Sequence, residues 1–335
     1  GLEMNFWNRR IGFDVSLYEQ ITSDAIIPVE ITPSTGFTNT VVNSAEVSNK
    51  GVEAQLYFTS IKTPDFSWRT DVNFSAYKSE VLDLFEDSQN ILVNSFFGVS
   101  LNAAKGEAYG TLKGTDYEYI NGERVVGEDG LYLKTESSQE VLGDINPDWK
   151  MGLSNTFKYK DISLSFLIDI QEGGSVFSGD TYFGMATGIY DVTAGVNDLG
   201  NPLRDPVSND NTSGGVILPG VQADGSTNTV RADFTTYENP YGRYGNAPDA
   251  QFVYDASYVK LREVTLGYSL PKKFIDKLPF NAVSFTAVGR NLWIISKDLP
   301  YADPEQSFGA GNLQGFQIGA YPSVKEYGFN IKLQF

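Results

Sequence analysis

At 335 residues the chain can bury a large core, and its lack of Cys and His removes disulfides, thiol chemistry, Cys/His metal sites and any imidazole base. A formal net charge of −17 offers no basic surface to phosphate, which argues against nucleic-acid partners, and no apolar run of about 18 residues is present to form a transmembrane helix. The abundance of Tyr (19), Phe (22) and Gly (33) favours strands and turns, so the expected class is all-β.

The opening "GLEMNFWNRR" reads as strand and turn, with no apolar stretch long enough for a secretory signal core. In the next stretch Ile11, Phe13, Val15 and Leu17 alternate with Gly12, Asp14, Ser16 and Tyr18. Val52, Ala54, Leu56 and Phe58 oppose Glu53, Gln55 and Tyr57, and Phe66, Trp68, Val72, Phe74 and Ala76 oppose Arg69, Asp71 and Asn73. "WKMGLSNTFKY" and "ISLSFLIDI" continue the series across the short connection 158–161. In "YVKLREVTLGYSL" Val259 and Leu261 hold one phase and Val264, Leu266 and Tyr268 the other, which predicts a β-bulge near Arg262–Glu263. "NAVSFTAVGRNLW" follows, and the chain closes on "EYGFNIKLQF", with Tyr327, Phe329, Ile331, Leu333 and Phe335 on one face.

Short connections at about 8–10, 60–65, 158–161 and 271–280 alternate with long polar ones at about 21–48, 80–148, 172–250 and 295–322. Placing the end of the last strand at the periplasmic rim puts every short link on that side and every long one outside, as in an outer-membrane barrel. Charges such as Glu53, Arg69, Asp71, Lys150, Asp169 and Arg290 keep to the polar phase. A lipid-facing band requires this, since a charge at the bilayer midplane costs roughly 2–4 kcal/mol, though a sandwich core requires it equally. The loop asymmetry and the aromatic strand ends (Tyr18, Trp68, Tyr77, Trp149, Tyr159, Trp293) favour the membrane. Nine strands are expected, with a further hairpin within 107–145 raising the count to eleven.

Five stretches in order carry a family resemblance: 49–84, "DINPDWKMGLSNTFKYKDISLSFLIDIQEGG", "ASYVKLREVTLGYSLP", "AVGRNLWIISKDLPYADPE" and the terminal "YPSVKEYGFNIKLQF". The chain resembles the C-terminal part of SusC/RagA-type TonB-dependent outer-membrane transporters of Bacteroidetes. That resemblance implies a transmembrane, antiparallel, up-and-down β-barrel of 22 strands with a plugged lumen, of which residues 1–335 supply the C-terminal half with its long extracellular loops. It implies that the plug, TonB box and N-terminal extension precede this region. It also implies a multi-pass location in the cell outer membrane and a SusD-like surface lipoprotein as partner, with TonB–ExbB–ExbD acting through the upstream part. The function implied is import of an oligosaccharide or a peptide. The alternatives are a structural or adhesive outer-membrane barrel without energised transport, and a secreted carbohydrate-binding sandwich.

The final Phe335 resembles the signal by which such barrels are handed to the barrel assembly machinery. The loop after residue 178 is rich in Tyr, Asn, Asp and Gly, a composition that stacks rings on sugar faces and hydrogen-bonds hydroxyls. Its candidates for substrate contact are Tyr182, Phe183, Tyr190, Tyr237, Tyr241 and Tyr244, with loop packing as the competing reading; the aromatics at 96, 97, 109, 117 and 119 stand the same way. "KDLPYADPE" gathers Asp298, Asp303 and Glu305, oxygen ligands of the kind Ca²⁺ takes, but without the ligand spacing and Gly of an EF-hand loop. A solvated acidic turn with Pro300 and Pro304 is favoured, and no cofactor is expected. Phosphate-cradling GxxxxGK[ST] and nucleophile-elbow GxSxG patterns are missing, and no carboxylate pair stands out, so nothing supports an enzyme.

Overall fold

The computed structural model describes residues 1–30, 33–37, 39–85, 88–208, 213–234, 238–243, 246–276, 279–309 and 311–335. Period-two segments become nine strands of one antiparallel sheet: β1 (Leu2–Phe6), β2 (Ile11–Glu30), β3 (Asn39–Lys62), β4 (Phe66–Asp83), β5 (Trp149–Tyr159), β6 (Ile162–Glu172), β7 (Tyr258–Ser269), β8 (Ala282–Lys297) and β9 (Glu326–Gln334). Each pairs with the next in sequence, the up-and-down order of a barrel wall, and β1 and β9 are its edges. Short links at 7–10, 63–65, 160–161 and 270–281 lie at one end, and 31–38, 84–148, 173–257 and 298–325 connect at the other.

The apolar phase forms one face, where Leu17, Leu56, Phe58, Leu164, Leu266 and Phe329 stand exposed. Aromatic rings step across it between strands: Trp68 stacks on Phe157 at 5.5 Å, and Phe157 on Phe166 at 6.2 Å. Polar side chains enter this phase in mid-wall at Thr70 and Asn155, which face each other across β4 and β5. Asn155, between Leu153 and Phe157, is buried, and its Oδ1 accepts from Trp68 Nε1 at 2.9 Å and Thr70 Oγ1 at 2.7 Å. On the opposite face, Tyr57 lies directly across from Gly12 and Tyr18 directly across from Gly51. A Cβ at either glycine would collide with the facing ring, so each tyrosine folds over the bare backbone of its partner.

Two expectations change. The segment 21–48 is for the most part a continuation of β2 and β3, not a loop. A register shift between Thr22 and Ala25, with Asp24 at φ 57°, breaks the alternation there and hid the ribbon. Beyond the shift, Ala25, Ala45 and Val47 pack against Val81, Leu84, Ile91 and Ala103, which holds the extension in place. The extra strands within 80–148 do not enlarge the wall. They form a separate four-stranded sheet, Glu140–Asp144, Thr111–Gly114, Val99–Ala104 and Asn90–Phe96 in spatial order, so the wall keeps nine strands among the described residues.

The bulge expected near Arg262–Glu263 is present. Leu261 and Glu263 pair with consecutive residues of β6, Ile168 and Leu167, and Arg262 pairs with neither neighbouring strand. Two successive side chains, Arg262 and Glu263, therefore fall on the polar phase that already carries Lys260.

Candidate functional site

Three long connections fold on one another into a cap at the loop end of the wall. Its core joins Val99, Leu101 and Leu112 to Phe177 and Phe252 and to Phe316, drawing on all three segments. Helix α1 (Gly179–Thr187) is N-capped by Ser178, whose Oγ accepts from Thr181 N at 3.1 Å. Ser178 Oγ also donates to the buried Gln317 at 2.7 Å, and Asp180 of the first turn accepts from Gln317 Nε2 at 2.5 Å and Gly319 N at 2.7 Å. The segment 298–325 is thereby fastened to α1.

From α1 that segment runs back onto the polar face of the wall, and there the acidic stretch finds its partners. Lys260 Nζ donates to Asp303 and, at 2.5 Å, to Glu305. Arg262 donates to Glu305 and, from Nε, to Asp169 of β6 at 2.7 Å. Tyr258 Oη lies 3.0 Å from Glu305, and Ser323 Oγ donates to Asp303 at 2.7 Å. The side chains of Lys260 and Asp303 are each 5% exposed, so this is an internal ion-pair cluster. Burial works against ionising the two loop carboxylates, but side-chain hydrogen bonds, from Lys260 and Ser323 to Asp303 and from Arg262 and Lys260 to Glu305, outweigh it and hold both below the usual carboxylate range.

The solvated acidic turn favoured from sequence is therefore corrected for Asp303, which is buried, while Asp298 stays exposed. Asp303 and Glu305 are occupied by cationic side chains, and among the described residues no group of three acidic side chains is placed to hold a metal ion. The sequence reading missed Lys260, Arg262 and Asp169 as the partners. The signal was available: two bases and a bulge on one polar phase, in a chain with an unmatched acidic turn.

Candidate aromatics separate into packing and surface. Tyr182 is buried, stacked on Phe97 at 5.4 Å and edge-on to Phe252 at 5.0 Å, so the structure assigns it to the cap core. Phe183 is partly exposed and meets Phe97 edge-on at 4.9 Å. Tyr190 stacks on Tyr301 with ring centroids 3.9 Å apart and planes 10° apart. Tyr301 was not anticipated; it takes a left-handed φ of 61° at the centre of a tight turn closed by Ala302 N to Pro300 O, and its hydroxyl donates to Asp191 at 2.7 Å. Tyr241 meets Phe234 edge-on at 5.3 Å beside the packed group of Tyr117, Val126, Tyr132 and Leu218. Tyr237 and Tyr244 lie outside the described residues.

Of the remaining aromatics, Phe96 packs on Phe308 and Phe316, Tyr109 donates to Asn312 at 3.2 Å, Tyr117 is buried under the Arg124 guanidinium, and Tyr119 is exposed. Phe335 is exposed with its ring edge-on to Phe280 at 5.0 Å.

Between the 303–323 segment and the polar faces of β5 and β6 runs an open cleft of about 900 Å³. Lys150 and Gln171, cross-strand partners in β5 and β6, form its floor, and Gln306, Phe308, Gln314 and Tyr321 its outer side.

No protein-family model matches the sequence. The chain is 25% identical to TonB-dependent receptor P3 of Formosa agariphila over 365 aligned residues, covering 100% of this chain and 33% of that protein. It is 23% identical to TonB-dependent receptor SusC of Bacteroides thetaiotaomicron, covering 100% of this chain and 31% of that protein. A solved structure of the RagAB peptide importer in its closed-closed state superposes with a TM-score of 0.69 at 21% identity, over 99% of this chain and 34% of that one. The chain thus spans about a third of the length of the curated relatives it matches. The resemblance read from sequence holds along the whole chain, and the fold is that of one portion of a TonB-dependent barrel.

Proposed function

We propose that this chain is the C-terminal barrel portion of an outer-membrane importer that takes up an oligosaccharide or a peptide, energised by TonB. The likeness of the entire chain to TonB-dependent receptors carries the reading. The physical layout agrees with it: one apolar face for lipid, one polar face, and long connections gathered at a single end into a cap. In this reading the wall spans the outer membrane, the cap meets a SusD-like surface lipoprotein, and TonB–ExbB–ExbD acts on the part of the protein upstream of this region. SusC among the relatives supports the lipoprotein partner, and the RagAB peptide importer keeps peptides beside glycans as cargo. The protein binds and translocates without making or breaking covalent bonds.

The test is deletion of the complete gene followed by growth on defined glycans and peptides, with uptake measured before and after collapse of the proton-motive force. Loss of growth on at least one source, and uptake that stops on collapse, is the expected result. Undiminished growth on every source overturns it.

A further inference from the structure

We infer that the cleft between the 303–323 segment and strands β5 and β6 is a binding site for an acidic oligosaccharide, with Lys150 as the residue that selects the acidic group. The inference rests on the import reading and adds the class of cargo.

The charges in the cleft decide its chemistry. Two carboxylates line it, Asp303 and Glu305, and both are matched by Lys260 and Arg262 from the wall. Lys150 is the only cation among the lining residues, it is exposed, and among the described residues it makes no ion pair. Lys150 also borders a neighbouring hollow that carries Asp14, Glu53 and Asp169, but none of these pairs with it, so on this open polar face its ammonium group is an available counter-charge for an incoming anion.

The rest of the lining is uncharged and hydrogen-bonding. Gln171, Gln306 and Gln314 bring amide groups that both donate and accept, the pattern that ring hydroxyls require. Gln306 is steadied by donating Nε2 to the Tyr321 carbonyl at 3.0 Å, and among the described residues its Oε1 accepts no hydrogen bond. Phe308 has one edge fixed against Phe96 at 5.5 Å and is still 51% exposed, and Tyr321 is 96% exposed. Two open rings beside three amides suit the apolar faces and hydroxyl edges of sugar rings better than an extended acidic peptide, whose recognition needs backbone partners along a strand edge.

The experiment uses the full-length protein in detergent and titrates three probes by calorimetry: trigalacturonate, its methyl ester, and triglutamate. Trigalacturonate is expected to bind at least tenfold more tightly than the ester. Lys150→Gln should remove about tenfold of that affinity, the loss of one hydrogen-bonded charge, and leave the ester unaffected, while Lys150→Arg retains binding. Phe308→Ala should weaken both sugars alike. A normal heat-dependent shift of each variant on gels establishes that its barrel has folded.

Equal affinity for acid and ester, no effect of Lys150→Gln, preference for triglutamate, or no binding of any probe because other parts of the protein fill the cleft, each overturns the inference. Uptake that depends on the proton-motive force but ignores the acidic group sinks this assignment and leaves the import reading standing.

Discussion

Arg262 pairs with neither strand beside it, and its guanidinium reaches Glu305, 43 residues further along the chain. The two facts are one. A regular strand would place only one of positions 262 and 263 on the polar face, but the bulge puts both there, Arg262 toward Asp169 and Glu305 and Glu263 toward Arg290 at 2.8 Å. The irregularity of β7 thus supplies the second cation that two carboxylates of the 298–325 segment require.

Removing the most enclosed cation should be costly. Lys260→Met leaves Asp303 buried without a counter-charge, and breaking such a pair costs about 3–5 kcal/mol. The double change Lys260→Met with Asp303→Leu should recover most of that, because an apolar pair of similar volume needs no compensation. Guanidinium unfolding of the full-length protein in lipid measures both; a double variant no more stable than the single one contradicts the assignment.

The same cluster fixes a pH window. Asp303 and Glu305 are held below their ordinary range in the folded state, so the stability they contribute is complete above the unfolded values near 4 and is lost as pH falls through the folded ones. Resistance of the 298–325 segment to proteolysis should therefore be flat from about pH 8 to 5 and fall only in stronger acid. Hydrogen exchange over the same range checks it, and release between pH 7 and 6 is the outcome that fails.

Legibility followed period and length. Strands with strict alternation were readable in full, and even the bulge of β7 showed as a slip of phase from Leu261 to Val264. Where the phase slipped, as at Ser23–Asp24, the ribbon looked like loop because the register shift broke the alternation on which the reading depended. Within the cap, the turns after Val126, Val196 and Val221 share one form. Each closes with a bond between positions one and five and places Gly130, Gly200 or Gly225 at φ near 80° (79°, 81° and 82°). Their common V-x-x-x-G spacing was visible in the sequence and went unread. The Tyr190–Tyr301 stack was not readable, because it joins residues far apart in the chain through a contact that no local pattern encodes, whereas the pairing of Asp303 with Lys260 left a trace in the two bases that share one polar phase.

The Tyr–Gly pairs on the polar face make a test of wall packing. Gly51→Val places a branched side chain where the Tyr18 ring lies, and overpacking of this kind costs about 1–3 kcal/mol. Adding Tyr18→Ala should relieve it. If Gly51→Val is as stable as the parent by chemical unfolding, the ring does not cover the glycine.

Asn155 offers the reciprocal test on the apolar face. Its Oδ1 takes the indole proton of Trp68 and the hydroxyl proton of Thr70, so a polar side chain is tolerated among lipid-facing neighbours only because it satisfies two others. Leucine at this position looks like the better residue for that face by hydropathy, yet it leaves both donors without an acceptor. Asn155→Leu alone should therefore destabilise by about 1–3 kcal/mol. The triple variant Asn155→Leu, Trp68→Phe, Thr70→Val removes donors and acceptor together and should restore most of the loss, since deleting every polar partner leaves nothing unpaired. A single variant more stable than the parent would mean that the three groups are solvated rather than bonded to one another, and chemical unfolding of the full-length protein in lipid distinguishes the two cases.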